Sequence, residues 1–294
     1  MFARLPLRWL SLVVAIGVLA VADRAVAQKG TPAAADPAAK PLKIFVNTDL
    51  EGISGVFKFA QTRDTDTQVA REAREYFMGD LAAVVRGLRD GGATEIYVHD
   101  GHGNQALIPH LMEPGAKYAT GRPKSEFAGL DKSCAGMVML GFHAMMGTPD
   151  GVLNHTQNSK TENRYWYNGV ETGEIGQAAI IAGALGVPLI MVTGDEATCR
   201  EAHKFFGDSV VTVAVKKGLG REAALLYPFE ETRKALYEGA KRAIAAIPNC
   251  KPYRIELPIK AKKEFIDAAK DGYEAHLVTK EGIIENPLDL LKFQ

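Results

Sequence analysis

Short apolar runs at residues 43–48, 94–98, 136–141 and 189–193 are separated by stretches whose apolar residues recur every three or four positions. The third run, GMVMLG, carries no polar side chain, which reads as a strand buried on both faces. Strands of this kind need long crossovers to pair in parallel, and helices supply them. The predicted fold class is therefore α/β, a mostly parallel sheet flanked by helices on both faces. Residues 67–90 predict one helix, with Val69, Ala73, Phe77, Leu81, Val84 and Leu88 as its buried stripe and Gly91-Gly92 as its stop. Further helices are predicted at 174–185 and 229–247, and further strands at 210–215 and 254–259. Residues 260–294 show no clear period and read as part of the domain or as a small C-terminal appendage.

The first 27 residues differ from the rest. Arg4 and Arg8 precede an apolar stretch at 9–22, and Ala25-Val26-Ala27 follows the small-x-small pattern of a cleavage site. The stretch is short for a membrane span, which needs ~20 residues. It predicts a signal peptide cut after Ala27, no stable membrane anchor after cleavage, and a periplasmic or secreted protein. The Ala/Pro-rich segment 28–41 predicts a disordered leader, leaving 42–294 for the folded domain. The 294-residue chain has 35 basic and 35 acidic residues, and loss of three Arg and one Asp with the leader peptide makes the net charge −2. That balance does not point to nucleic acid as a partner. Cys134, Cys199 and Cys250 form no Cys-x-x-Cys spacing, which argues against a thiolate zinc site, and two of them could pair after export.

Polar motifs follow three of the predicted strands. Asp49 and Glu51 flank Leu50 after the first; in extended backbone, residues two apart point the same way, so both carboxylates can reach one ion. An Asp/Gly turn would look the same. HDGHGN follows the second, with His102 in a glycine-rich loop as the candidate ligand, His99 as a packed residue, and Asp100 as a group that could orient His102. His143 follows the buried run and needs a partner there, whether a metal or a backbone carbonyl. Glu174 opens a helix, where the dipole alone would favour a carboxylate. His155 lies in a polar loop and reads as an acid/base or oxyanion group, or as a solvated histidine. Asp195 follows the fourth strand, either as a helix cap or as a lining residue. Together, two histidines and three carboxylates suit a pair of zinc ions.

At these residues the chain resembles the zinc-dependent D-aminopeptidases of the dipeptide-transport-operon type. The segments that carry the resemblance are VNTDLEGISG (46–55), HDGHGN (99–104), LGFHAMMGTPDGVLNHT (140–156), NGVETGEIGQAA (168–179) and VPLIMVTGDEA (187–197). It covers residues 43–260 in order and fades in the tail. The resemblance implies Asp49, Glu51, His102, His143 and Glu174 as ligands of two zinc ions per subunit, and His155 as the catalytic histidine. It also implies a homo-oligomeric hydrolase that releases the N-terminal residue, a D-amino acid such as D-Ala, from short peptides. A zinc amidase or esterase acting on cell-wall fragments, or a non-catalytic peptide-binding protein, would share the same ligand set.

Overall fold

The computed structural model describes residues 41–293 except 104, 122, 124–126 and 269–273. The expected signal peptide and nearly all of the expected leader lie outside the described residues. The larger of two sheets begins with β1 (Lys43–Thr48), β2 (Glu95–Asp100), β3 (Lys117–Ala119) and β4 (Cys134–Leu140), and continues with β7 (Leu189–Asp195), β8 (Val211–Gly220) and β9 (Ala223–Leu226). Its order is β3-β2-β1-β4-β7-β8-β9, parallel throughout except for β9, which returns antiparallel along β8. The sheet is thus the mostly parallel one that the apolar runs predict.

Alternation along the central strands sends side chains to both faces. Ile44 and Val46 of β1, with Val138 and Leu140 of β4, join the core under α1 (Gln68–Asp90) and α4 (Phe229–Ala246). Phe45, Met137 and Met139 join the opposite core, beneath α2 (Glu174–Ala184) and α3 (Glu196–Phe206). In α1 the stripe Ala73, Phe77, Leu81, Val84 and Leu88 is fully buried, while Val69 in its first turn is half-buried. Thr67 caps the helix, its hydroxyl accepting from Ala70 N at 3.2 Å.

The second sheet holds β5 (Arg164–Tyr167), β6 (Val170–Glu171), β10 (Ile259–Asp267) and β11 (His276–Ile284), in the order β11-β10-β5-β6 and antiparallel. Tyr165, Tyr167, Ile259 and Ala261 seat it on Ile180 and Ile181 of α2. The strand expected at 254–259 starts only at Ile259, and the residues before it are irregular. Residues 259–284, which show no sequence period, supply two of this sheet's strands. Among the described residues no helix is long and apolar enough to cross a membrane, and Cys134, Cys199 and Cys250 are free and buried.

β1 is the strand at which the order reverses: the chain goes to β2 on one side and later to β4 on the other. In open α/β sheets, ligands bind beyond the carboxyl ends of the strands at such a reversal. Residues 49–52, 100–103 and 141–143 all leave the sheet there.

Candidate metal centre

The first turn of the rim depends on two glycines. Asp49 N donates to Leu140 O at 2.8 Å and Gly52 N to Gly141 O at 2.7 Å, which locks the loop after β1 against the loop after β4. A Cβ on Gly52 would stand 1.8 Å from Phe142 O, and one on Gly141, whose φ is +77°, would stand 2.4 Å from Asp49 O. This close backbone contact sets Asp49 beside His143.

Asp49 lies between two imidazoles. Its Oδ1 is 2.9 Å from His102 Nδ1 and its Oδ2 is 3.4 Å from His143 Nε2. Glu51 Oε2 is 3.1 Å from His102 Nδ1, and Glu174 Oε1 lies 3.6 Å from His143 Nε2 and 3.8 Å from His155 Nε2. The rings of His143 and His155 stack with centroids 3.9 Å apart. Potential ligand atoms fall into two triads, Asp49-Glu51-His102 and His143-His155-Glu174, each within 4.8 Å.

Every imidazole of the cluster is held by one nitrogen and presents the other. His102 Nε2 is 2.8 Å from Thr62 O, His143 Nδ1 is 3.1 Å from Ala144 O, and His155 Nδ1 is 2.8 Å from Leu153 O. Carbonyls only accept, so each of those nitrogens carries the hydrogen. His102 Nδ1, His143 Nε2 and His155 Nε2 then face the carboxylates. Backbone carbonyls that fix the ring in this way are the usual outer partners of metal-binding histidines.

Electrostatics point the same way. Burial opposes charge on Asp49, yet its hydrogen bond to His102 and the nearby charge of His143 hold it well below the usual carboxylate range. Burial likewise opposes protonation of His143, but Glu174, Asp49 and Glu51 outweigh it and push the imidazole up to about 10. His102 is raised well above its ordinary value, the charges of Glu51 and Asp49 prevailing over burial. Glu174 is pushed up to about 7 by burial, against the pull of His143. Burial, with charged His143 beside it, pushes His155 down to about 4. Buried Asp49 and Glu51 and half-buried Glu174 draw cationic charge into this space, and protons supply it where no metal does. Glu51 Oε2 and His143 Nε2 are buried without a hydrogen-bond partner. Carboxylate oxygens and imidazole nitrogens left open in a buried cluster fit zinc.

The structure brings Asp49, Glu51, His102, His143, His155 and Glu174 together, with His155 standing where a ligand of the second triad could stand. Asp100 is elsewhere. Its Oδ2 accepts from Ala106 N, Leu107 N and Thr120 Oγ1, folding the loop after β2, and the ring nitrogen of His102 that it was expected to orient is bonded to Thr62 O instead. Asp195 caps α3, accepting from Thr198 N at 2.7 Å, and its Oδ2 accepts from Val152 N at 2.6 Å, which anchors the loop carrying His155. His99 is packed, stacked on Phe45, with Nδ1 3.0 Å from Asn47 Oδ1.

Sequence reasoning did not find Gln157, whose backbone N donates to Glu174 Oε1 at 2.6 Å, or Lys216. Lys216 is fully buried, and its Nζ donates to Glu51 O, Ile53 O and Val56 O at 2.6, 2.9 and 2.5 Å. Its ammonium holds the turn that carries two candidate ligands, and burial pushes its pKa down to about 8. The one signal was a lysine directly after the apolar run Val213-Ala214-Val215 of β8. The cluster opens into a cavity of about 550 Å³.

Comparison with known proteins gives the family and the fold. A family model described as D-aminopeptidase matches residues 42–279. A D-aminopeptidase of Bacillus subtilis (strain 168) is 32% identical over 191 residues, 62% of this chain and 66% of its own length, so the match spans just under two thirds of that relative. The solved structure of the Zn-dependent D-aminopeptidase DppA from Bacillus subtilis, described as a self-compartmentalizing protease, shares the fold. Its TM-score is 0.76 at 24% identity, over 85% of this chain and 94% of that one.

Proposed function

This chain belongs to the D-aminopeptidase family, and from that premise we propose that it is an exported zinc aminopeptidase that removes a D-amino acid such as D-Ala from the free N-terminus of short peptides. The observation that carries the reading is the pair of triads joined by Asp49, whose two oxygens face His102 and His143. Asp49, Glu51 and His102 would hold one zinc ion, and His143 and Glu174 a second, with Asp49 reaching both. Zinc at such a site supplies Lewis acidity and brings the ionisation of water toward neutral pH.

The chain's own groups do the rest. Thr62 O and Ala144 O fix the tautomers of His102 and His143. Gln157 N holds Glu174 Oε1 in place. Leu153 O keeps the hydrogen of His155 on Nδ1, so Nε2 faces the cluster with a free lone pair. From there His155 can accept a proton at Nε2 from the attacking water and pass it to the leaving amine. Asp195, through Val152 N, holds the His155 loop at this position.

Export rests on the pattern of residues 1–27. Assembly of copies is supported by exposed Val170, Ile266, Leu277 and Ile283 on the four-stranded sheet, and light scattering of the purified protein tests it. The decisive assay is hydrolysis of D-Ala-D-Ala and L-Ala-L-Ala by the purified protein, with zinc and after chelation. Zinc-dependent cleavage of the D peptide alone supports the full reading. Cleavage of the L peptide alone rejects the D preference, and cleavage of neither rejects the peptidase.

A further inference from the structure

Away from the ligand cluster, the cavity wall is cationic. Arg63, Arg74 and Lys160 line it, against a single acid there, Asp64. Arg63 is committed: its Nε donates to Ser159 Oγ at 3.0 Å, its Nη2 donates to Ser159 O, and its guanidinium lies 3.7 Å over the Phe59 ring. It fastens the 59–63 loop to the 157–160 loop across the cavity. Arg74 is not committed. It is half-buried on α1, its Nε is buried, and among the described residues no acceptor meets it. Lys160 is exposed at the same cavity and has no side-chain partner among the described residues.

A buried guanidinium nitrogen without an acceptor is costly, because desolvation is not offset by a bond. A guanidinium that opens into a ligand cavity acquires its acceptor with the ligand, and its planar fork matches a carboxylate. A cavity of about 550 Å³ lies within the range of small-molecule sites, roughly 300–1,000 Å³. It is large enough for a peptide of a few residues that reaches both the ligand cluster and this wall.

We infer that Arg74, with Lys160 lining the same cavity, is a subsite for the C-terminal carboxylate of a short peptide whose N-terminal end is at the ligand cluster. The inference deepens the peptidase reading and rests on it. It narrows the substrate to free di- and tripeptides, because an amidated or extended C-terminus offers Arg74 a neutral carbonyl in place of a carboxylate. Arg164, another cation near the rim, is paired with Glu171 at 2.8 Å and is not among the lining residues.

The test compares D-Ala-D-Ala with D-Ala-D-Ala-amide on the zinc-loaded full chain and on Arg74→Ala, reading kcat and KM separately and binding by calorimetry. Loss of one charge-assisted contact predicts that the wild type favours the free acid by about 10-fold or more, through KM. Arg74→Ala should raise KM for the acid alone and bring the ratio near one, with zinc content unchanged; Arg74→Lys should recover part of the preference. Equal use of acid and amide by the wild type, or an equal loss on both in Arg74→Ala, overturns the subsite. If neither compound is cleaved, calorimetry decides: Arg74-dependent preference for the acid upholds the subsite while the peptidase reading fails, and absence of that preference overturns both. Cleavage of phenyl phosphate with an Arg74-dependent KM would assign the guanidinium to phosphate and overturn the carboxylate.

Discussion

The turn at residues 49–56 separates two buried polar regions built in opposite ways. Above it, Asp49 and Glu51 meet His102 and His143, and the cluster keeps open polar atoms at Glu51 Oε2 and His143 Nε2. Below it, charge is satisfied. Lys216 gives Nζ to three carbonyls of the turn, and Asp80 Oδ2 accepts from Ser54 N at 2.9 Å with Arg233 Nε 3.5 Å from Oδ1. Glu51 and His143 are buried about as deeply as Lys216 and Asp80, so depth alone does not mark a site. The difference lies in whether the buried groups complete one another: a closed network is scaffold, and an open one is a place for something else.

Asp49→Ala breaks the open side most severely. It removes the carboxylate of the first triad that also faces His143 of the second, so zinc binding should fall by more than about 100-fold while the fold, held from below, persists; metal analysis after dialysis checks this beside circular dichroism. His155→Ala comes next. It should keep its zinc and lose about 10²–10⁴ in kcat, whereas loss of metal would place His155 among the ligands of the second triad. Lys216→Met tests the closed side. It strands three carbonyls beneath the ligand turn, which should lower stability on the order of 3 kcal/mol in a denaturant titration and weaken zinc about 10–100-fold. The smallest effect belongs to Asp100→Asn. It loosens the loop after β2 by about 1 kcal/mol and should leave zinc affinity alone, because His102 is anchored on Thr62 O. A drop in affinity matching that of Lys216→Met would return Asp100 to the role its place next to the HDGHGN ligand suggests.

Legibility in the sequence followed range and period. The central strands were readable because both faces are buried, so apolar runs such as GMVMLG have no polar alternate. β10, IKAKKEFID, was not. It has one face inward at Ile259, Ala261 and Lys263, and the lysine at the third inward position breaks the alternation. The six polar residues of the cluster could be picked out because each sits just past a strand, at a helix start or in a glycine- and asparagine-rich loop. Their partners could not. Thr62 is 40 residues from His102, and Lys216 is 165 from Glu51, so only the fold brings them together. Arg74 looked like any solvated helix cation, and its missing acceptor is visible only in three dimensions.

The most direct test of the open cluster is a calorimetric titration of the chelated full chain with zinc, with Asp49→Ala alongside. A centre joined by Asp49 predicts two ions per wild-type chain and neither held tightly by the variant. One ion per chain, or a variant that binds as the wild type does, would contradict a shared two-metal centre at the end of β1.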